Sequence, residues 1–176
     1  GAQVVCINPL KERGLERFQN PQHPLEMLTN GDKPTNTAYF RPALGGDMAI
    51  LRGMAKFLLL WERQAQAEGK DAVFDHDFHN EHTVNVLDYL AKIDDTSWEE
   101  IVEQSGLPLV EIEQAARMYA KGKNVIMCWA MGITQHRHSV PTIQEIANLM
   151  LLRGNIGRPG AGLCPVRGHS NVQGDR

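Results

Sequence analysis

The chain has 176 residues, of which 42% are hydrophobic and 22% charged, an ordinary composition for a folded domain and enough chain to enclose one core. Its 18 basic and 21 acidic residues give a net charge of −3, which removes the electrostatic basis for sequence-independent nucleic-acid binding. No apolar run reaches the roughly 18 residues that cross a bilayer, so neither nucleic acid nor a membrane segment is expected. Cys6, Cys128 and Cys164 lie far apart with no CxxC spacing, which implies neither a zinc ribbon nor a disulfide framework.

Residues 4–7 are a β-branched apolar run closed by Asn8-Pro9, which predicts a buried parallel strand with a loop at its carboxyl end. Residues 11–44 contain Pro21, Pro24, Pro34 and Pro42, which forbid a long helix and predict a long surface connection, with residues 37–40 a candidate further strand. Gly46-Asp47 opens a helix whose Ile50, Leu51, Met54, Phe57, Leu58 and Trp61 recur at helical spacing, so these side chains read as core. A polar stretch follows to Asp77, then a second helical pattern over residues 83–93.

Residues 96–100, Thr-Ser-Trp-Glu-Glu, contain two overlapping capping boxes, so a helix starts there. Pro108 suits the first turn of the next helix, whose stripe of Leu109, Ile112, Ala116 and Tyr119 stops before Gly122. Residues 124–129 read as a second strand. Ser139 then caps a helix bearing Ile143, Ile146, Ala147 and Met150, with Arg153 in its last turn and Gly154 as its stop. Beyond Gly154 the chain reads as loop. Strands alternating with helices predict an α/β fold, a Rossmann-like parallel sheet flanked by helices with a long Gly-rich C-terminal loop. With no initiator Met and a mid-loop end, residues 1–176 read as a single α/β domain of a longer multidomain protein.

In an open parallel sheet, ligands sit beyond the carboxyl ends of the strands. Two loops qualify: residues 8–11, and residues 131–136, where Gly132 permits close backbone approach and Thr134 and Gln135 offer a hydroxyl and an amide to a heterocycle. The closing segment has glycines at 154, 157, 160, 162, 168 and 174, and Arg158 and Arg167 to neutralise a charged ligand, but it matches neither GxGxxG nor a P-loop.

The run WAMGITQH, followed by LLRGNIGRPGAGLCPVRGHSNVQG, resembles the molybdopterin oxidoreductase family, the bis(molybdopterin guanine dinucleotide) enzymes that include formate dehydrogenases. VVCINP, RPALGGDMAIL, FHNEHTVNVLDYL and IEQAARMY match further family motifs in order, most like the formate-dehydrogenase-like oxidoreductase alpha subunits. The resemblance spans nearly the whole chain but only the central cofactor-binding domain of such an enzyme. It implies bis-molybdopterin guanine dinucleotide with molybdenum or tungsten, electron transfer to or from a small substrate at the metal, and the parent chain's other domains and an electron-transfer protein as partners. It allows a 4Fe–4S cluster in the region before this chain. A cytoplasmic parent is the expectation.

Carried over residue by residue, the resemblance puts Asn8 where the family has an acid on guanine and leaves Lys11 or Arg13 to reach the phosphates. Asp47 matches a second guanine contact, and Met131 and Gln135 match residues lining the pterin, with Gly132 and His136 beside them. Arg167, with His169 following, matches an arginine beside the metal, where a fixed guanidinium orients a small anion. The isolated domain is expected to be inactive. The competing reading is a non-catalytic nucleotide-binding or regulatory α/β module on the same scaffold.

Other features read more simply. His76, His79 and His82, three residues apart, read as part of a connector rather than a metal site. Cys164 reads as a small loop residue, and Cys6 and Cys128 as core.

Overall fold

A computed structural model of the chain describes residues 2–18, 22, 24–25, 33–166 and 168. The described elements are, in order, β1 (Val5–Ile7), α1 (Arg13–Glu16), β2 (Arg17–Phe18), β3 (Lys33–Pro34), β4 (Ala38–Phe40), α2 (Asp47–Glu68), α3 (His76–His82), α4 (Val86–Asp95), α5 (Trp98–Ser105), α6 (Leu109–Lys121), β5 (Ile126–Trp129), α7 (Met131–Thr134), α8 (Ser139–Leu152) and β6 (Gly162–Pro165). The fold is α/β, as its alternating pattern predicts.

The organising element is α2. Its apolar stripe buries Ile50, Leu51, Met54, Phe57 and Leu58 against α5, α6 and α8, where Ile101, Ile112, Ala116, Leu149 and Met150 close the core. Each fully buried Leu or Ile side chain contributes about 1.5–3 kcal/mol. The helix runs past its last core residues to Glu68 and ends on Gly69 in the left-handed conformation (φ 65°). Lys56, 8% exposed, donates from its ammonium to the carbonyls of Ile93, Asp94 and Thr96 at 3.3, 2.6 and 2.8 Å, which satisfies the end of α4. The Ser97 hydroxyl accepts from the Glu100 amide at 3.0 Å, the capping bond expected for α5.

Four strands form two parallel pairs: β1 with β4, in register Val5↔Ala38 to Ile7↔Phe40, and β5 with β6, in register Ile126↔Gly162 to Trp129↔Pro165. β2 and β3 form a small antiparallel pair. Among the described residues the two parallel pairs are not hydrogen-bonded into one sheet.

Several expectations are corrected. The segment after Gly154 is not all loop: Gly162 at φ 150° turns it into β6. Residues 131–134, expected as loop, close a single helical turn. The three histidines fall within one helix, α3, started by Asp75, whose carboxylate accepts from the Phe78 amide at 3.1 Å. The strands are less buried than apolar runs predict, because each has one strand neighbour and an outward face: Val5 is exposed on β1, with Val4 exposed just before it, and Ile126 and Cys128 are exposed on β5. Cys128 is therefore not core, Cys6 is half-buried, and Cys164 lies on a strand rather than in a loop.

Candidate functional site

Parallel pairing sends the chain exits of β1 and β4 to the same end. Asn8 leaves β1 there, its amide still donating to the Phe40 carbonyl at 3.0 Å. From β4 the chain passes through residues 41–46 into α2. Ala43 donates to the Ser105 carbonyl at 2.7 Å and Gly46 to the Ala43 carbonyl at 2.9 Å, which fastens this segment to the end of α5. A Cβ on Gly46 would lie 2.8 Å from the Gln104 carbonyl oxygen, so only glycine fits immediately before Asp47. The first acid of α2 is thus held at the strand-exit end, at the positive end of a 22-residue helix.

The exit of β5 brings Met131, Gly132, Gln135 and His136. Met131, Gly132 and Gln135 are exposed, and a Cβ on Gly132 would meet no heavy atom within 4 Å, so the backbone there stands open to a ligand. The Gln135 amide closes the turn on the Met131 carbonyl at 2.9 Å. His136 is half-buried. Its Nδ1 accepts from the His138 amide at 3.2 Å, so in the neutral ring the proton sits on Nε2, an atom that is buried without a hydrogen-bond partner.

The two strand exits meet electrostatically at Asp47. Burial pushes its carboxyl up from the ordinary aspartate value, while its own backbone amide and the nearby His136 draw it down. His136 thus lies within electrostatic reach of Asp47, which spacing of 89 positions in the chain does not reveal.

Asn8 is engaged within its own loop: its amide nitrogen donates to the Leu10 carbonyl at 2.7 Å, Glu12 Oε2 at 3.0 Å and the Tyr39 hydroxyl at 3.2 Å. Tyr39, from β4, in turn donates to the Leu10 carbonyl at 2.5 Å. Sequence reasoning overlooked this tyrosine; the signal was its place in a candidate further strand, which the structure pairs with β1. Lys11 is exposed and paired with Glu16 at 3.0 Å, an exposed ion pair that gives up its partner at a cost of about 1 kcal/mol or less.

Arg167 and His169 lie outside the described residues. The strand feeding them is described: the Val166 amide donates to the Trp129 carbonyl at 2.7 Å, so β6 runs alongside β5 up to the residue before Arg167. Arg158 is not at this end. It precedes β6 and donates to the Lys123 carbonyl at 2.5 Å and to Asn155 Oδ1 at 2.7 Å, before the amino end of β5.

The α3 histidines have structural partners. His76 Nε2 meets Glu62 Oε1 at 2.7 Å, and His79 Nε2 meets the Leu152 carbonyl at 3.0 Å. Among the described residues no three His, Cys, Asp or Glu side chains group as metal ligands. No described helix is long and apolar enough to cross a membrane.

No protein-family profile matches the chain. Individual proteins do. The chain is 47% identical over all 176 residues to "Protein YdeP" of Escherichia coli K12 and 40% identical over the same span to "Uncharacterized oxidoreductase Rv2900c" of Mycobacterium tuberculosis. It is 33% identical to formate dehydrogenase H of Escherichia coli K12 over 130 residues, 74% of this chain and 17% of that protein. The chain spans 23% of the first relative's length and 22% of the second's. Together these similarities support an oxidoreductase family for this sequence.

Proposed function

We propose that the chain is the molybdopterin guanine dinucleotide-binding domain of a molybdenum or tungsten oxidoreductase that moves electrons to or from a small substrate at the metal. The observation that carries this reading is the buried Nε2 of His136, unpartnered at the exit of β5, with the half-buried Asp47 at the start of α2 within its electrostatic reach. A guanine offers ring and exocyclic N–H donors to a carboxylate and acceptors to an N–H, so the pair has the donor and acceptor that such a ligand needs. The open backbone at Gly132 and the exposed Met131 and Gln135 fit a flat heterocycle approaching the same loop. The similarity to a formate dehydrogenase supports the class.

When bound, the pterin dithiolenes and their metal supply the two-electron chemistry. The residues of this chain bind and orient. Asp47, Asn8 and His136 would hold guanine, Lys11 released from Glu16 would meet phosphate, and Met131 and Gln135 would fix the pterin side. By the resemblance, Arg167 and His169 would stand on the substrate side, where a guanidinium orients a small anion.

The test is guanine retention by the full-length parent protein. In Asp47→Ala, acid-released GMP should fall from about two per chain toward about one at limiting cofactor, because one guanine loses a charge-assisted hydrogen-bonding partner. Unchanged GMP in a folded Asp47→Ala protein refutes the assignment. The second reading, a nucleotide-binding module without metal chemistry, draws on the engagement of Asn8 with Leu10, Glu12 and Tyr39. It predicts bound guanine nucleotide without molybdenum or tungsten.

A further inference from the structure

Cys128 and Cys164 are 36 positions apart in sequence and directly opposite in space. β5 and β6 run parallel with Cys128 paired to Cys164, so their side chains leave the ladder on one face. That face is the outward one. On β5, Met127 and Trp129 turn toward the core while Ile126 and Cys128 are exposed, and Cys164 is exposed on β6. Neighbouring strands lie about 4.8 Å apart, within the roughly 4.4–6.8 Å between Cα atoms that a disulfide spans.

We propose that Cys128 and Cys164 are a redox-active dithiol that closes to a disulfide by exchange with a low-molecular-weight disulfide. Burial, and then the neighbouring Cys164 thiol, push the Cys128 thiol up. In the proposed exchange Cys164 is the attacking sulfur and Cys128 the resolving one, an order that the single variants test.

The exchange balances in two steps. Cys164 thiolate attacks one sulfur of the small disulfide, forming a mixed disulfide and expelling a thiolate. Cys128, losing its proton to solvent or to that thiolate, then attacks the Cys164 sulfur and expels the second thiol. The protein gives up two electrons and two protons, and the small disulfide becomes two thiols.

Cross-linking would join the two strands that lead to Met131–Thr134 and to Val166, so it would stiffen the exits flanking the candidate site. The proposal rests on strand register and exposure, and it stands or falls independently of any cofactor.

The experiment uses the full-length parent protein, incubated with oxidised glutathione, quenched with acid, alkylated under denaturing conditions and mapped by mass spectrometry. The expected result is a peptide pair joined through Cys128 and Cys164, two hydrogens lighter than the reduced pair, with the loss of two alkylatable thiols and their full recovery with dithiothreitol. In Cys128→Ser, Cys164 should instead accumulate glutathione as a stable mixed disulfide, while in Cys164→Ser the modification of Cys128 should be at least about tenfold slower, given the thiolate dependence of exchange. Two separately alkylated cysteines after oxidation overturn the proposal. So does independent glutathionylation of both cysteines with no joined peptide, a result readable on the wild-type protein alone.

Discussion

Gly53→Ala sets two effects of known size against each other at the centre of the core. In the middle of α2, alanine in place of glycine favours the helix by about 1 kcal/mol. Packing opposes it: the added Cβ would stand 2.6 Å from the Cγ2 of Ile112 and 2.9 Å from the Cγ2 of Ile101. Those isoleucines are 0% and 1% exposed, so neither has solvent to swing into, and α2 must move off α5 and α6. Overpacking of this kind costs about 1–3 kcal/mol. With two simultaneous overlaps we place the cost near the top of that range, a net destabilisation of about 1–2 kcal/mol.

Urea denaturation followed by tryptophan fluorescence, with Trp61 stacked on Phe57 of α2 and Trp98 tilted against it, reads the loss as a lower midpoint. A cycle with Ile112→Ala isolates the cause: removing the obstructing methyl should make the double variant less unstable than the sum of the singles. A Gly53→Ala protein as stable as the parent, or strict additivity, refutes the reasoning.

Three further outcomes follow from the same geometry. Glu62, 2% exposed, is disfavoured as an anion by burial, but hydrogen bonds from the Phe74 amide, His76, Gln66 and the Val73 amide win and hold its carboxyl below the ordinary glutamate range. A depressed folded pKa stabilises above the unfolded value and is lost as pH falls through the folded one. The wild-type advantage over Glu62→Gln, about 1–3 kcal/mol at neutral pH, should therefore shrink below about pH 4 in urea titrations; a pH-independent gap contradicts this. Lys56→Met should cost about 2–4 kcal/mol by leaving three carbonyls of one helix end without a donor, with faster amide exchange at the end of α4 as the readout. Tyr119, its hydroxyl pushed up to about 12 by burial, donates to the Leu149 carbonyl at 2.8 Å and accepts from Asn155 at 3.3 Å. Tyr119→Phe should cost about 1–2 kcal/mol in the same urea assay, and no loss would show those bonds to be idle.

The helices were legible because their signals are local. The apolar stripe of α2, the Ser97 cap and the Gly122 stop all act within a few residues. Asp75 was an equally local cap for α3, but the run of histidines and acids offered no apolar stripe beside it. β6 was hidden because Gly162–Pro165 owes its extended form to pairing with β5 rather than to β propensity. The same non-local pairing hid the facing cysteines, and the electrostatic reach of His136 to Asp47 is likewise non-local. Asp47 itself was visible as the first acid of a helix, whereas the engagement of Asn8 by Tyr39 emerged only with the β1–β4 register.

The central claim is that this domain cradles a metal-bearing guanine dinucleotide. Elemental analysis of the full-length parent for molybdenum and tungsten, with acid release of GMP from the same sample, tests it most directly. The account predicts one of these metals together with about two GMP per chain, the two-cofactor stoichiometry of the resemblance. Protein from cells that load a related enzyme, found to hold neither metal nor GMP, would contradict it.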